Sequence, residues 1–283
     1  MWIFVNGRFV PKEKARVSVY DHGFLYGDGL FETLRAYSGT IFRLPQHLER
    51  LARSAQRLTL SLPPLFDLEA LLYKTLERNR LRDAILRLTV TRGEGAVGLD
   101  PDLCGKPTLV ILARRFKGYP SEFYEKGVSA AIVQVRRTPP AALDPAFKSI
   151  SFLNNVQAKI EANRRGAFEG IFLSLDGYLA EGTVSNLFWV RKGKLKTPAP
   201  GVGLLEGVTR GLVLQLAKKS GVRTEEGRFR PSDLLKAEEA FLTNSGVELA
   251  PLTEVEGKAI GGGKPGPITR QLHQAFKEAV RQR

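Results

Sequence analysis

Cysteine, methionine and histidine are nearly missing from this chain. Its one cysteine, Cys104, in 283 residues excludes an internal disulfide framework and suits the cytoplasm. The three histidines, His22, His47 and His273, lie far apart without metal-ligand spacing, so metal catalysis is not expected. No apolar run approaches the length that spans a bilayer. The opening MWIFVNGRFVP lacks a basic region followed by an apolar core, so no secretory leader is expected. Internal repeats and low-complexity tracts are lacking too, and so is any block of one charge. The formal net charge is +14, yet the basic residues are spread over amphipathic stretches such as HLERLARSAQRL and VTRGLVLQLAKKSG. No zinc-finger spacing or aromatic–basic ribonucleoprotein motif accompanies them. Neither nucleic acid nor a membrane is expected as a partner, and an attraction for small anions remains as a reading of the charge.

What is present fits an ordinary soluble globular protein, with 43% hydrophobic and 25% charged residues. The length suits two α/β lobes better than one core. The expected division is residues 1–117 and 118–283, with the joint in RRFKGYPSE. In the first lobe, Asn6-Gly7 and Ser38-Gly39 mark hairpin turns. Pro45 opens a helix on Leu44, Leu48, Leu51, Ala55 and Leu58, with the intervening charges expected to face out. A second helix is expected over roughly Leu68–Asn79, then strands in AILRLTVTRG and PTLVILARRF. In the second lobe VSAAIVQVRR reads as a strand. NNVQAKIEANRRG reads as a helix capped by asparagine and ended by Gly166. Short strands follow, a helix starts near Thr209, EEAFLTNSGVELAPL gives strand, loop and strand, and Pro267 opens a last amphipathic helix. A cleft between two lobes is the natural place for a ligand.

The chemistry starts from PAFKSISFLNN, residues 145–155, which sets Lys148 among apolar and small residues with no acid near it in sequence. A buried ammonium is costly unless paired or neutralised. A lysine kept neutral by burial is a nucleophilic amine able to form a Schiff base with an aldehyde; the ordinary alternative is a snorkelling surface lysine. In LEGVTRGLVLQLAKKSG a glycine turn runs into a helix at Val208, Thr209 and Arg210. Its free amides and dipole suit a phosphate, although a plain helix cap is the commoner role of an isolated threonine such as Thr209. Glu181 in LAEGTVSNLFWV could hold a cationic ring nitrogen, or be a solvated turn glutamate. Arg43, between Phe42 and Leu44, suits phosphate, or lies over its apolar neighbours. LTNSGVELAPL brings Thr243, Asn244 and Ser245 in a loop, or an ordinary turn. A phosphorylated pyridine aldehyde needs a lysine, a phosphate pocket and a carboxylate, and the chain offers a candidate for each.

These motifs, together with DHGFLYGDGLFETLRAY, FRLPQHLERLARSA, LRLTVTRGEGAVGLDP, FKSISFLNNVQAKIEANRRG, EGTVSNLF, GLLEGVTR, FLTNSGVELAPL and GKPGPITRQL, resemble the class IV aminotransferases over essentially the whole chain. These are the fold type IV pyridoxal-phosphate enzymes. The resemblance implies an α/β (α+β) fold with a smaller N-terminal lobe and a larger cofactor-binding lobe carrying a barrel-like sheet. It implies pyridoxal 5'-phosphate as cofactor, Lys148 as the catalytic and covalent lysine, and Glu181 at the pyridine nitrogen. Arg43, Val208, Thr209 and Ser245 take the phosphate positions, and Arg87, Gly246 and Val247 the substrate positions. A homodimer is implied as well.

The subfamily signals differ among themselves. GDGLFETLR, EGTVSNLF and LTNS look like aminodeoxychorismate lyases, yet Val97 stands where many of those carry an arginine. TRGEGAVGLDPDLCGKPT and GGGKPGPIT look like prokaryotic branched-chain aminotransferases, in which the residue matching Arg87 helps receive a dicarboxylate. Against those, Ser185 replaces a second glutamate and Phe152 replaces a tyrosine. EGAVGLD lacks the arginine–histidine trap of D-amino-acid aminotransferases. The expected activity is transamination between an amino acid, branched-chain or otherwise hydrophobic, and a 2-oxo acid such as 2-oxoglutarate. The lyase is the alternative, and a basic binding protein that has kept the fold is a third.

Overall fold

The Asn-Gly and Ser-Gly pairs turn the chain where their backbone freedom demands. Asn6 and Gly7 (φ 44° and 86°) reverse β1 (Trp2–Val5) into β2 (Arg8–Pro11), and Ser38 and Gly39 (φ 50° and 93°) reverse β3 (Gly29–Tyr37) into β4 (Thr40–Ile41). Left-handed φ is steric freedom for glycine and is tolerated by short polar side chains. The computed structural model describes residues 1–282. It divides into two compact units: Met1–Lys117 with Phe147–Phe152, and Gly118–Ala146 with the residues from Leu153 onward. The sequence reading gave Phe147–Phe152 to the second lobe; they belong to the first unit because their backbone pairs with β3 there.

The first unit also contains α1 (His22–Tyr26), α2 (Leu44–Arg57), α3 (Leu65–Arg78), β5 (Ala84–Thr91) and β6 (Thr108–Arg115). Its sheet runs β2-β1-β6-β5-β3-β4, antiparallel throughout. Leu44, Leu48, Leu51 and Ala55 of α2 and Leu68, Leu72 and Leu76 of α3 pack on Leu30, Leu34, Leu86 and Leu88 of the sheet. Each fully buried leucine of this kind contributes about 2 kcal/mol by leaving water.

The second unit is built of α4 (Ser121–Lys126), β7 (Val128–Ile132), α5 (Leu153–Arg164), β8 (Glu169–Leu173), β9 (Leu179–Gly182), β10 (Asn186–Arg191), β11 (Lys194–Pro198), α6 (Val208–Lys219), β12 (Thr224–Gly227), α7 (Pro231–Leu235), β13 (Glu239–Asn244), β14 (Glu248–Val255), β15 (Lys258–Ala259) and α8 (Pro267–Arg281). Its sheet runs β12-β11-β10-β13-β14-β7-β8-β9, with β15 on β14. β9, at one end of that order, also touches β10 and β11, so the sheet curls back on itself. Two expectations need correction here. The strand from Val128 ends at Ile132 rather than reaching Arg137. α5 begins at Leu153, before the asparagines. Asn154 therefore does not cap the helix; it accepts from Thr138 N (3.3 Å) and donates to Arg136 O (2.9 Å), tying down the chain that follows β7. Gly166 (φ 68°) ends the helix as expected. Among the described residues no helix is long and apolar enough to cross a membrane.

Candidate active site

Lys148 lies in a short extended segment laid along β3. Phe31 N donates to Lys148 O (2.9 Å), Ile150 N donates to Gly29 O (3.0 Å), and Leu30 bridges Ser149. This backbone pairing fixes the lysine without using its side chain. The half-buried amine stands 4.6 Å from the centre of the Phe31 ring. The Arg87 guanidinium lies 3.7 Å from the same centre, and Phe152 meets Phe31 edge-on at 5.4 Å. An aromatic face attracts a cation through its quadrupole. The lysine that looked out of place in sequence thus has an aromatic surface as its support. Burial holds the Arg87 guanidinium below its ordinary pKa.

Beside it lies a cluster that the sequence reading missed. Glu32 of β3 is fully buried and accepts from Arg50 Nε (2.8 Å), Arg50 Nη2 (2.7 Å) and His47 Nδ1 (2.7 Å). His47 feels the charge of Lys148 as well as those of Glu32 and Arg50. Burial would raise the Glu32 carboxyl, but Arg50 and His47 overcome it and hold it at about 2. Burial also pushes His47 below its ordinary value; its Nδ1–H donates because an ionised carboxylate can only accept. The expectation that the charges of α2 face out holds for Glu49 and Arg53 but fails for Arg50, which is 6% exposed. Arg43, the arginine singled out in sequence, is half-buried at the N-cap of α2 with φ 55°.

In the second unit Glu181, at 5% exposure, is no solvated turn residue. Its Oε1 accepts from Arg137 Nε (2.9 Å); its Oε2 accepts from Leu205 N (3.1 Å) and Asn186 Nδ2 (3.3 Å). Arg137 was overlooked because it was read as part of a strand. Its Nη1 also reaches Asn154 and Asn155 at 3.1 and 3.4 Å. Asn186 joins Glu181 to the approach to α6, donating to Leu205 O at 2.8 Å. A Cβ on Gly207 would come 2.1 Å from Asn186 Oδ1, so only glycine allows this close approach. Gly207 is the N-cap of α6, no side chain caps the helix, and Val208 and Thr209 form its first turn. Thr209 is therefore not the cap. Ser245 and Gly246 lie half-buried in the turn between β13 and β14, and Val247 is buried. Asn244 Oδ1 shapes that turn by accepting from Gly246 N (2.7 Å) and Val247 N (2.9 Å).

A helix start with no side-chain cap is an anion site in the making. Here a buried carboxylate stands next to it, joined through Asn186. That donor set fits a molecule with a phosphate at one end and a basic ring nitrogen at the other.

Comparison with known proteins agrees. The family model described as amino-transferase class IV matches residues 29–255. A Methanocaldococcus jannaschii protein, provisionally named a branched-chain-amino-acid aminotransferase, is 43% identical over 279 residues, covering 98% of this chain and 96% of its own. The aminodeoxychorismate lyase of Bacillus subtilis is 36% identical over 283 residues, covering 99% and 94%. A branched-chain amino acid aminotransferase of T.th., solved with pyridoxamine 5'-phosphate, superposes with a TM-score of 0.95 at 32% identity, over 100% of this chain and 95% of that one. This chain belongs to the class IV aminotransferases.

Proposed function

We propose that this class IV aminotransferase moves the amino group of a branched-chain or other hydrophobic amino acid to a 2-oxo acid such as 2-oxoglutarate. The observation that carries the reading is the half-buried Lys148 amine resting on the Phe31 ring, which Phe152 meets edge-on. Pyridoxal phosphate supplies the electron sink that lets a bond at the substrate's α-carbon break. Lys148 would hold the cofactor, and its Nζ is the group that would move the proton at the substrate's α-carbon. The aromatic pair excludes water and favours an apolar substrate side chain. Glu181 would keep the ring nitrogen protonated, with Val208, Thr209 and Ser245 at the phosphate. Of the two candidate arginines, Arg50 is better supported than Arg43 for phosphate, since it is buried in the cluster that adjoins Lys148. Arg87 would receive the second carboxylate of a dicarboxylic acceptor, with Gly246 and Val247 against the substrate. The name of the archaeal relative supports the same substrate class.

A cytoplasmic homodimer completes the proposal. Leu153, Val156 and Ile160 form an exposed apolar stripe along α5 at 69%, 48% and 45% exposure, and a second copy of the chain would cover it. The single cysteine suits the reducing compartment.

The test is the visible spectrum of the pyridoxal-phosphate-loaded protein, taken before and after a panel of L- and D-amino acids without an acceptor. Hydrophobic amino acids should convert the band, and the responders fix the hand of the substrate. A band that no amino acid moves would refute transamination and favour the lyase reaction.

Glu181→Gln tests the ring-nitrogen role. Cofactor binding should survive while turnover falls by about 100-fold, since charge stabilisation is lost where it develops. Wild-type turnover would remove Glu181 from the mechanism.

A further inference from the structure

Glu169, at the start of β8, is a buried carboxylate (3% exposed) that makes no ion pair among the described residues. Burying such a group without a cation is costly. Its oxygens are occupied instead by the amide of its neighbour Gly170 and by donors from the turn that follows Glu181. Oε1 accepts from Thr183 N (3.1 Å), from the Thr183 hydroxyl and from Gly170 N (3.0 Å), and Oε2 accepts from Ser185 Oγ (2.8 Å). The β8–β9 ladder pairs Ile171 with Gly182, the last residue of β9. Beyond that point the backbone turns, closed by Gly182 N donating to Ser185 O (2.7 Å). The carboxylate thus takes the place a strand would otherwise fill for Thr183 N.

The rest of the turn is held from two other elements. Asn155 Nδ2 of α5 donates to Thr183 O (2.7 Å), and Asn244 Nδ2 of β13 donates to Val184 O (3.1 Å). A Cβ on Gly182 would stand 2.2 Å from Ser185 Oγ and 3.0 Å from Glu169 Cδ, so the turn closes only around glycine. At its two ends stand Glu181 and Asn186, themselves joined at 3.3 Å. We propose that Glu169 is a positioning residue: by gathering Thr183 and Ser185 it sets the turn that aims Glu181. Ser185 is thereby committed to Glu169 and not to substrate. The inference rests on the proposed role of Glu181 at a cofactor ring nitrogen.

A glutamine at this position keeps the oxygen that takes three of the bonds, and Ser185 can reverse its hydroxyl to accept from the new amide. Shape, and not charge, should therefore matter. The experiment titrates wild type, Glu169→Gln, Glu169→Ala and Thr183→Val with pyridoxal phosphate and with its 1-deaza analogue, in which carbon replaces the ring nitrogen. Folding is followed by circular dichroism, and kcat and KM are measured alongside. Wild type should prefer the natural cofactor. In Glu169→Ala the preference should collapse and kcat should fall about 10- to 100-fold with little change in KM. Glu169→Gln should restore most of both, and Thr183→Val should shift them in the same direction by less. A purely structural role would lower the melting temperature of Glu169→Ala and leave the preference intact, which overturns the proposal. If Glu169→Ala does not fold, an unchanged preference in Thr183→Val overturns it as well. A wild type that does not discriminate between the two cofactors would instead sink the Glu181 assignment beneath it.

Discussion

Lys148→Ala is expected to give a folded, colourless protein with kcat/KM lowered by about 10⁴-fold or more. The fold should survive because Lys148 is anchored by its backbone, with Lys148 O accepting from Phe31 N and the neighbouring Ile150 N donating to Gly29 O. The side chain adds its position over the Phe31 ring, worth about 1 kcal/mol. The expected loss of stability is thus of that order, and the melting temperature should move by only a few degrees, about what such a change gives in a domain of this size. Two separate losses are combined in the activity. The covalent hold on the cofactor goes, and so does the group that moves the α-proton. Visible absorbance of the protein after incubation with pyridoxal phosphate and gel filtration reads the first loss. Addition of a small amine such as methylamine reads the second, since a diffusible base should restore part of the turnover. A variant that keeps the wild-type band and wild-type turnover would show that another group carries the chemistry.

Much of this arrangement was legible in the sequence wherever the signal was local. Asn6-Gly7 and Ser38-Gly39 turn because of their own backbone preferences, and α2 packs through a leucine stripe written at helical spacing. Lys148 stood out because nothing within its segment could pair with it. The failures share a different cause. Arg50 was read as outward because the helical pattern counts a charge as solvent-facing, whereas its partner Glu32 comes from a strand and carries the charge inward. His47 and Arg50 do sit beside Leu48 and Leu51, so the inward face was visible, but not the carboxylate awaiting them. Arg137 pairs with Glu181, 44 residues away, and Glu169 serves a turn 14 to 16 residues later. Asn154 has the residue type of a cap and is employed instead as a tertiary fastener. Buried polar partners meet only after the chain has folded, and no local propensity encodes them.

Glu32→Gln is expected to destabilise the protein by about 3–5 kcal/mol at neutral pH, the range for breaking a buried ion pair on one side. Glu32 takes two charge-assisted bonds from Arg50 and one from His47, and all three side chains are buried. Removing its charge leaves the Arg50 guanidinium buried inside the first unit with its own anion gone. The effect has a signature in pH that a packing defect would lack. In the folded protein the Glu32 carboxyl sits at about 2 against an ordinary value of 4.5. At pH 7 it is charged in both folded and unfolded chains. As pH falls below about 4.5 the unfolded chain takes up the proton first, so stability is lost progressively until the folded chain is protonated near 2. The stake over that window is on the order of 3 kcal/mol. Glu32→Gln has no such proton to bind, so its stability should decline less steeply there and the gap to wild type should narrow towards pH 3. His47, held below 6.5 by burial, adds its own loss in acid, since the unfolded chain binds that proton first as pH drops through about 6.5. Glu32 partly offsets that burial, so the histidine shift differs between the two proteins; making the comparison with His47→Gln in both chains isolates Glu32. Urea unfolding at pH 7, 5, 4 and 3 measures it directly. Parallel curves, separated by a constant amount from pH 7 to pH 3, would mean that the Glu32 carboxyl is not held low by its partners, and that the cluster is packing alone.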